Sequence, residues 1–145
     1  LIMTTRLDSD SIMYGYLTSV TALMTATGNR IYGPPLGVPA GITEPKTFIK
    51  FSCDGGPGHP DIPMSSERFS FSCYGSKQSE AQSVFRALFD ALHRVGRQEV
   101  TISAGVTALL RRADLESGPM DLPEPELGWP RVVCAFRVVF MERAL

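Results

Sequence analysis

Apolar residues recur along the chain with two different spacings, and the spacing sorts the segments. From Ser11 to about Thr27, Ile12, Tyr16, Val20, Leu23 and Met24 return at steps of three and four, which puts them on one helical face. Asp8, Ser9, Asp10 and Ser11 offer N-terminal caps and Gly28 a stop, so a first helix is predicted there. Ala81, Val84, Phe85, Leu88, Leu92 and Val95 make a cleaner stripe ended by Gly96. This stripe predicts a helix over about 77–95, entered through a Ser79/Gln82 capping box or through Ser76. Arg86, Asp90 and Arg94 stand four apart on it and mark a solvated flank.

Elsewhere the period is two. Thr47, Ile49, Phe51 and Cys53 alternate with Phe48, Lys50 and Ser52, and Phe69, Phe71 and Cys73 alternate with Arg68, Ser70, Ser72 and Tyr74. Glu99 to Ser103 and Val106 to Leu115 read as a hairpin around Ala104 and Gly105. Val132, Cys134, Phe136, Val138 and Phe140 form the strongest alternating face, and Phe136 is expected to pack against Phe85 of the second helix. Arg137, in the middle of the other side, indicates that this other side meets water or a partner. All 11 prolines and 8 of the 13 glycines fall within 33–45, 55–63 and 118–130, which predicts loops there. The order helix, strand, strand, helix, strand, strand, strand has no regular βαβ alternation. It predicts an α+β fold, a mostly antiparallel sheet with two main helices packed on one face.

At 145 residues, 43% hydrophobic and 20% charged, the chain is expected to form a single domain over 1–145. The formal charge of -1 lacks the basic excess of a dedicated DNA or RNA binder. There is no apolar run of 18 residues and no leader-like start, so neither a membrane span nor a signal peptide is expected, and the protein should be soluble and made inside the cell. Cys53, Cys73 and Cys134 are odd in number and have no CxxC spacing, which predicts free, mostly buried thiols.

Catalytic patterns are sparse. His59 lies in a Gly/Pro loop and His93 near a helix end, and neither has a metal-ligand spacing. His93 beside Asp90 fits a residue that complements the helix dipole. Cys53, Asp54, His59 and Asp61 match no metal geometry. Gly55-Gly56-Pro57-Gly58 is followed by His59 rather than by the Gly-Lys-Ser/Thr of a phosphate loop, and no GxSxG elbow occurs. No enzyme, cofactor or metal is expected.

What remains is surface that an isolated domain does not need. The loops predicted at 54–66 and 116–130 are long for connections in a compact fold. Asp114, Glu116, Asp121, Glu124 and Glu126 lie in a stretch without Lys or Arg, while Arg111, Arg112, Arg131 and Arg137 sit on the adjoining strands. Acid loops beside arginine strands are a recipe for subunit pairing, or equally a solvated loop. Arginines outnumber lysines 11 to 3, which favours forked interface contacts. Trp129 beside Pro130 is either a strand-start anchor or an interface residue.

The succession resembles the tail terminator or tail completion proteins of long-tailed bacteriophages. The residues that carry the resemblance begin with Gly28-Asn29-Arg30-Ile31-Tyr32, Pro34-Pro35 and a strand holding Phe48. They continue with Arg68-Phe69-Ser70-Phe71-Ser72-Cys73-Tyr74-Gly75, the helix from Ala81 to Leu92 and a closing strand from Arg131 to Glu142. The resemblance covers the chain from about Ser11 to Glu142, with loops at 54–66 and 116–130 longer than in the plainest members. It implies a homohexameric ring at the head-proximal end of the tail that ends the tail tube, fixes its length and joins tail to head. Implied partners are further copies of the chain, the tail tube protein, a head-completion or stopper protein, and duplex DNA passing through without tight binding. On that reading the acids between Asp114 and Glu126 face the channel or a neighbour's Arg111 or Arg112. The competing readings are another head-to-tail connector or minor tail protein and, from a different class, an intracellular α+β enzyme or ligand-binding domain.

Overall fold

The first predicted helix forms as two, α1 (Ser9–Ser19) and α2 (Thr21–Thr27). Val20, expected in mid-helix, is extended between them at φ -87° and ψ 105°. The run Thr18-Ser19-Val20-Thr21 explains the break. Thr18 and Ser19 turn their hydroxyls back onto the carbonyls of Tyr14 and Tyr16, at 2.8 and 2.6 Å, and compete with the main chain for them. Gly28 stops α2 as predicted, in the left-handed conformation at φ 60°, and the Asn29 N–H returns to Met24 O at 2.9 Å.

The computed structural model describes residues 9–33, 43–55, 64–93, 98–103, 106–125 and 128–144. After α2 come β1 (Ile31–Tyr32), β2 (Phe48–Gly55), β3 (Met64–Tyr74), α3 (Gln78–Leu92), β4 (Gln98–Ser103), β5 (Val106–Asp121) and β6 (Arg131–Ala144). Among the described residues the strands form one six-stranded sheet in the order β1-β2-β3-β6-β5-β4. Every pairing is antiparallel except the parallel β1–β2 pair, so the expected α+β class holds. No helix among the described residues is long and apolar enough to cross a membrane.

β1 is too short for its alternation to be read from sequence. It exists because Arg30 latches the corner, with Nε on Thr47 O at 2.9 Å and Nη2 on Thr47 Oγ1 at 3.0 Å, while Ile49 N–H bonds Arg30 O at 3.1 Å. The Gly-x-Arg-Ile-Tyr step therefore docks the end of α2 onto β2.

α1 and α3 pack on one face of the sheet, and α2 packs against those two helices. Ile49 and Phe51, Phe69, Phe71 and Cys73, and Val132, Cys134, Phe136, Val138 and Phe140 are buried there with Ala81, Val84, Leu88 and Leu92 of α3. α1 touches β4 and also β1 and β2, which lie at opposite ends of the strand order, so the sheet curls around it. The Tyr16 hydroxyl donates to Ala91 O and ties α1 to α3. Glu67 shares this interior face opposite Val138 and is buried.

Three expectations need correction. Phe136 meets Phe89 of α3 at 6.5 Å between ring centroids, whereas Phe85 is only half-buried and its ring lies 6.0 Å from that of Phe89. Neither capping scheme for α3 forms as predicted. Lys77 is the N-cap and has no side-chain cap bond, and Glu80 takes the Ser76 N–H at 3.0 Å and the Ser76 hydroxyl, which holds its carboxyl below its usual range. The loops are also shorter than read. β2 continues through Asp54 and Gly55, β3 starts at Met64, and β5 runs to Asp121. A long partner, β6, supplies ladder positions to a polar stretch that shows no alternation of its own, accommodated by register shifts between Leu115 and Ser117 and between Ser117 and Met120. Gly118 lies there at φ 88°, and a side chain on it would meet Val133 O at 2.6 Å. Within the predicted loops, residues 34–42 and 56–63 lie outside the described residues, as do Ala104, Gly105 and Val95.

The three thiols are free, with Cys73 and Cys134 buried and Cys53 half-buried. A hydrogen bond with Cys134 and complete burial push the Cys73 thiol well up.

Phe136→Ala should cost about 3–5 kcal/mol in chemical denaturation, while the half-buried Phe85→Ala should cost roughly 1–2 kcal/mol. Equal losses at the two positions would contradict the packing. Gly75→Ala should also destabilise strongly, since its Cβ would fall 2.5 Å from the backbone nitrogen of Ala81, and a native melting temperature would refute that contact.

Candidate functional site

The face of the sheet away from the helices carries the charged side chains of β2, β3, β5 and β6 with Ala135 buried and Val133 and Val139 half-buried among them, and the strand register arranges it in rows. Ser52 pairs with Ser70, Ser70 with Ala135, and Ala135 with Ser117. These short side chains make a shallow trough across β2, β3, β6 and β5, about 14 Å wide at the usual strand spacing.

Beside the trough runs a row of charges. Arg68 of β3 stands directly opposite Arg137 of β6, a like-charge pair that would repel if left alone. Glu116 of β5 reaches both. Its carboxylate lies 2.9 Å from Arg137 Nε and 3.7 Å from Arg68 Nε. Asp54 of β2 closes the row from the other side, with Oδ2 2.7 Å from Arg68 Nη1 and accepting the Ser70 hydroxyl. The Arg68 guanidinium also donates to Ser117 Oγ at 3.4 Å. These four side chains are 35–38% exposed, so their attraction is screened and adds little to stability. What they determine is the charge pattern of the face.

The expected interface residues divide between this row and two other places. Arg137 and Glu116 belong to the row, and Asp114 stands opposite Arg137 while pairing with Arg112 at 2.6 Å in the open. Arg111 is the extra residue of a bulge between Leu110 and Arg112, and it is exposed. The bulge lets Leu110 and Ala113 both face the core while Arg112 faces out. Glu124, Trp129 and Arg131 form a corner at the end of the sheet. Asp121 turns toward α3 instead and accepts from Gln78 at 2.8 Å and from Gln82. Glu126 lies outside the described residues.

In the corner, Phe48 stacks on Tyr74 at 4.2 Å, meets Tyr32 at 5.7 Å and takes the edge of Trp129 at 6.4 Å. Trp129 is half-buried on Phe48 just ahead of β6, which is the place of a strand-start anchor. Glu124 accepts from the Tyr74 hydroxyl at 3.0 Å and pairs with Arg131 at 3.4 Å, and Arg131 Nε also bonds Leu122 O at 2.9 Å. Burial and Glu124 together push the Tyr74 hydroxyl up, against the opposing pull of Arg131.

Arg68 and Ser70 are read from sequence as strand positions rather than site residues, and Asp54 enters there only in a grouping with Cys53, His59 and Asp61 that matches no metal geometry. Arg68 carried the same signal as Arg137, a cation opposite a core phenylalanine on an alternating strand, but its pairing with Arg137 requires the register. Among the described residues no cluster of His, Cys, Asp and Glu could hold a metal ion. His59 and Asp61 lie outside them. His93 stacks on Phe89 at 4.4 Å.

A curled, mostly antiparallel sheet with the helices on its inner side defines the class, an α+β fold. No protein-family model matches the chain, and no curated protein matches it. Among solved structures, one described as the virion of a native gene transfer agent (GTA) particle contains a chain of the same fold. The two align with a TM-score of 0.68 at 17% identity, over 93% of this chain and 95% of that one.

Ionising Tyr74 is harder in the folded protein, where its proton is held above the usual value near 10. Its contribution to stability is therefore complete below about pH 10 and is lost as pH rises through the raised native value. Tyr74→Phe should lower stability at neutral pH and flatten this alkaline fall. Denaturation midpoints with the same alkaline slope in both proteins would sink that assignment.

Proposed function

We propose that the protein is a structural component of a phage-like virion, a subunit of a homohexameric ring at the head-proximal end of the tail. The ring ends the tail tube and joins the tail to the head. The observation that carries this reading is the near end-to-end likeness of fold to a chain from a gene transfer agent virion. The element order from the Gly28–Tyr32 step to the closing strand, which resembles tail terminators, points the same way.

In this role the protein works by shape rather than catalysis. The helices are held inside the curled sheet, which leaves the outer face, the β5 bulges and the aromatic corner to meet other molecules. The exposed Met120 and Leu122 beside that corner supply apolar contact area of the kind that interface cores use. Its partners are further copies of the chain, the tail tube protein and a head-completion or stopper protein, and duplex DNA passes through the ring.

A cryo-EM reconstruction of the parent particle should contain a sixfold ring of this chain between tail tube and head. A reconstruction with no such ring would overturn the reading.

A further inference from the structure

We propose that the uncovered edge of β5 is a subunit interface that takes the β2 edge of a second copy of this chain, so that neighbouring sheets join antiparallel. This deepens the ring reading above and rests on it. β5 runs to Asp121, but β4 pairs with it only as far as Leu110, and among the described residues no strand lies beside it on that side from Arg111 onward. Alternate main-chain N–H and C=O groups there point away from β6, an arrangement that a further strand completes. The slot also has an apolar wall. Gln78 and Gln82 of α3 reach Asp121 of β5, and Phe85 and Phe89 continue the same helical stripe along the edge. Leu115 lies on that side too, since its ladder partner Phe136 meets Phe89. Phe85, Phe89 and Leu115 pack on the core yet stay half-buried.

The opposite edge of the sheet offers the complement. β1 covers β2 only at Ile49 and Lys50, and among the described residues no strand lies on that side of Phe51 to Asp54. Three antiparallel steps separate β2 from β5, so the two run in opposite directions, and rotating copies about an axis along the strands brings them together antiparallel. The two edges differ, as the head-to-tail contacts of a ring require. With Phe51 opposite Leu115, apolar side chains meet on the inner face. On the outer face Asp54 falls opposite Arg112, whose side chain is 73% exposed, and the exposed Lys50 comes beside Glu116. A slide of two residues that set Cys53 opposite Leu115 would bring Asp54 against Asp114, a slide of two the other way would run into β1, and a slide of one would reverse the faces.

In that register Ser52 lies directly opposite Asp114, and both are exposed. Particles assembled with the Ser52→Cys/Asp114→Cys chain, oxidised with copper–phenanthroline and run on a gel without reductant, should give a ladder of cross-linked copies up to the hexamer, while each single variant stays monomeric. Should the cysteines disturb folding, hydrogen exchange reads the same contact in the native chain. Backbone amides of 51–54 and 112–115 should then exchange about tenfold or more slowly in the particle than in the free monomer. A folded double variant that gives no ladder, a ladder equally strong in a single variant, native amides with no added protection, or Asp114→Cys cross-linked to a different virion protein would each overturn the edge pairing. If the particle still holds a sixfold ring of this chain, the ring reading survives that result, whereas particles without any such ring would overturn the ring reading itself.

Discussion

The uninterrupted antiparallel ladder between β3 and β6, from Met64 opposite Met141 to Tyr74 opposite Arg131, is the constraint on which the rest of the molecule depends. Side chains alternate along both strands, so this single register decides both faces at once. Inside, it sets Phe69 against Phe136 and Phe71 against Cys134; outside, it sets Arg68 against Arg137. A slip of one residue would bury the arginines and expose the phenylalanines, which makes the register strongly specified. The interior aromatic contacts, including Phe71 edge-on to Phe136 at 5.7 Å and Phe69 to Phe140 at 5.8 Å, follow from it.

The outer strands adapt to that central pair. β5 could not follow β6 over its length with strict alternation, because Leu110 and Ala113 both belong inside. The bulge at Arg111 resolves the conflict, and the later register shifts bring Glu116 within reach of both arginines. The irregularity of β5 and the charge pattern of the open face are thus one feature. The same shifts carry the strand on to Asp121, which binds Gln78 and Gln82 and so fastens the far end of the sheet to the start of α3.

The two faces divide the work. The interior supplies stability through burial of large apolar side chains, whereas the outer ion pairs, each open to solvent, contribute little energy but define what another molecule would meet. At Ala135 and at the corner of Tyr32, Phe48, Tyr74 and Trp129, apolar burial spills onto the outer face.

The sequence by itself determined the α+β class, the second helix and the interior faces of β2, β3 and β6, because their periodicities are local and unbroken, and it indicated the hairpin of β4 and β5, whose alternation is interrupted at Arg111. It also marked Arg137 and the acids of β5 as surface. The break at Val20 came from hydroxyls competing for helix carbonyls, a local conflict that apolar spacing does not register. Only the tertiary structure decided that a polar stretch from Glu116 to Asp121 would be strand, since its ladder partner lies on β6 and its own alternation is absent. In the same way, β1 depends on Arg30 reaching Thr47, and the site depends on four strands bringing Asp54, Arg68, Glu116 and Arg137 into one row. Those residues are up to 83 positions apart, and nothing in a local pattern specifies which strand will lie beside which.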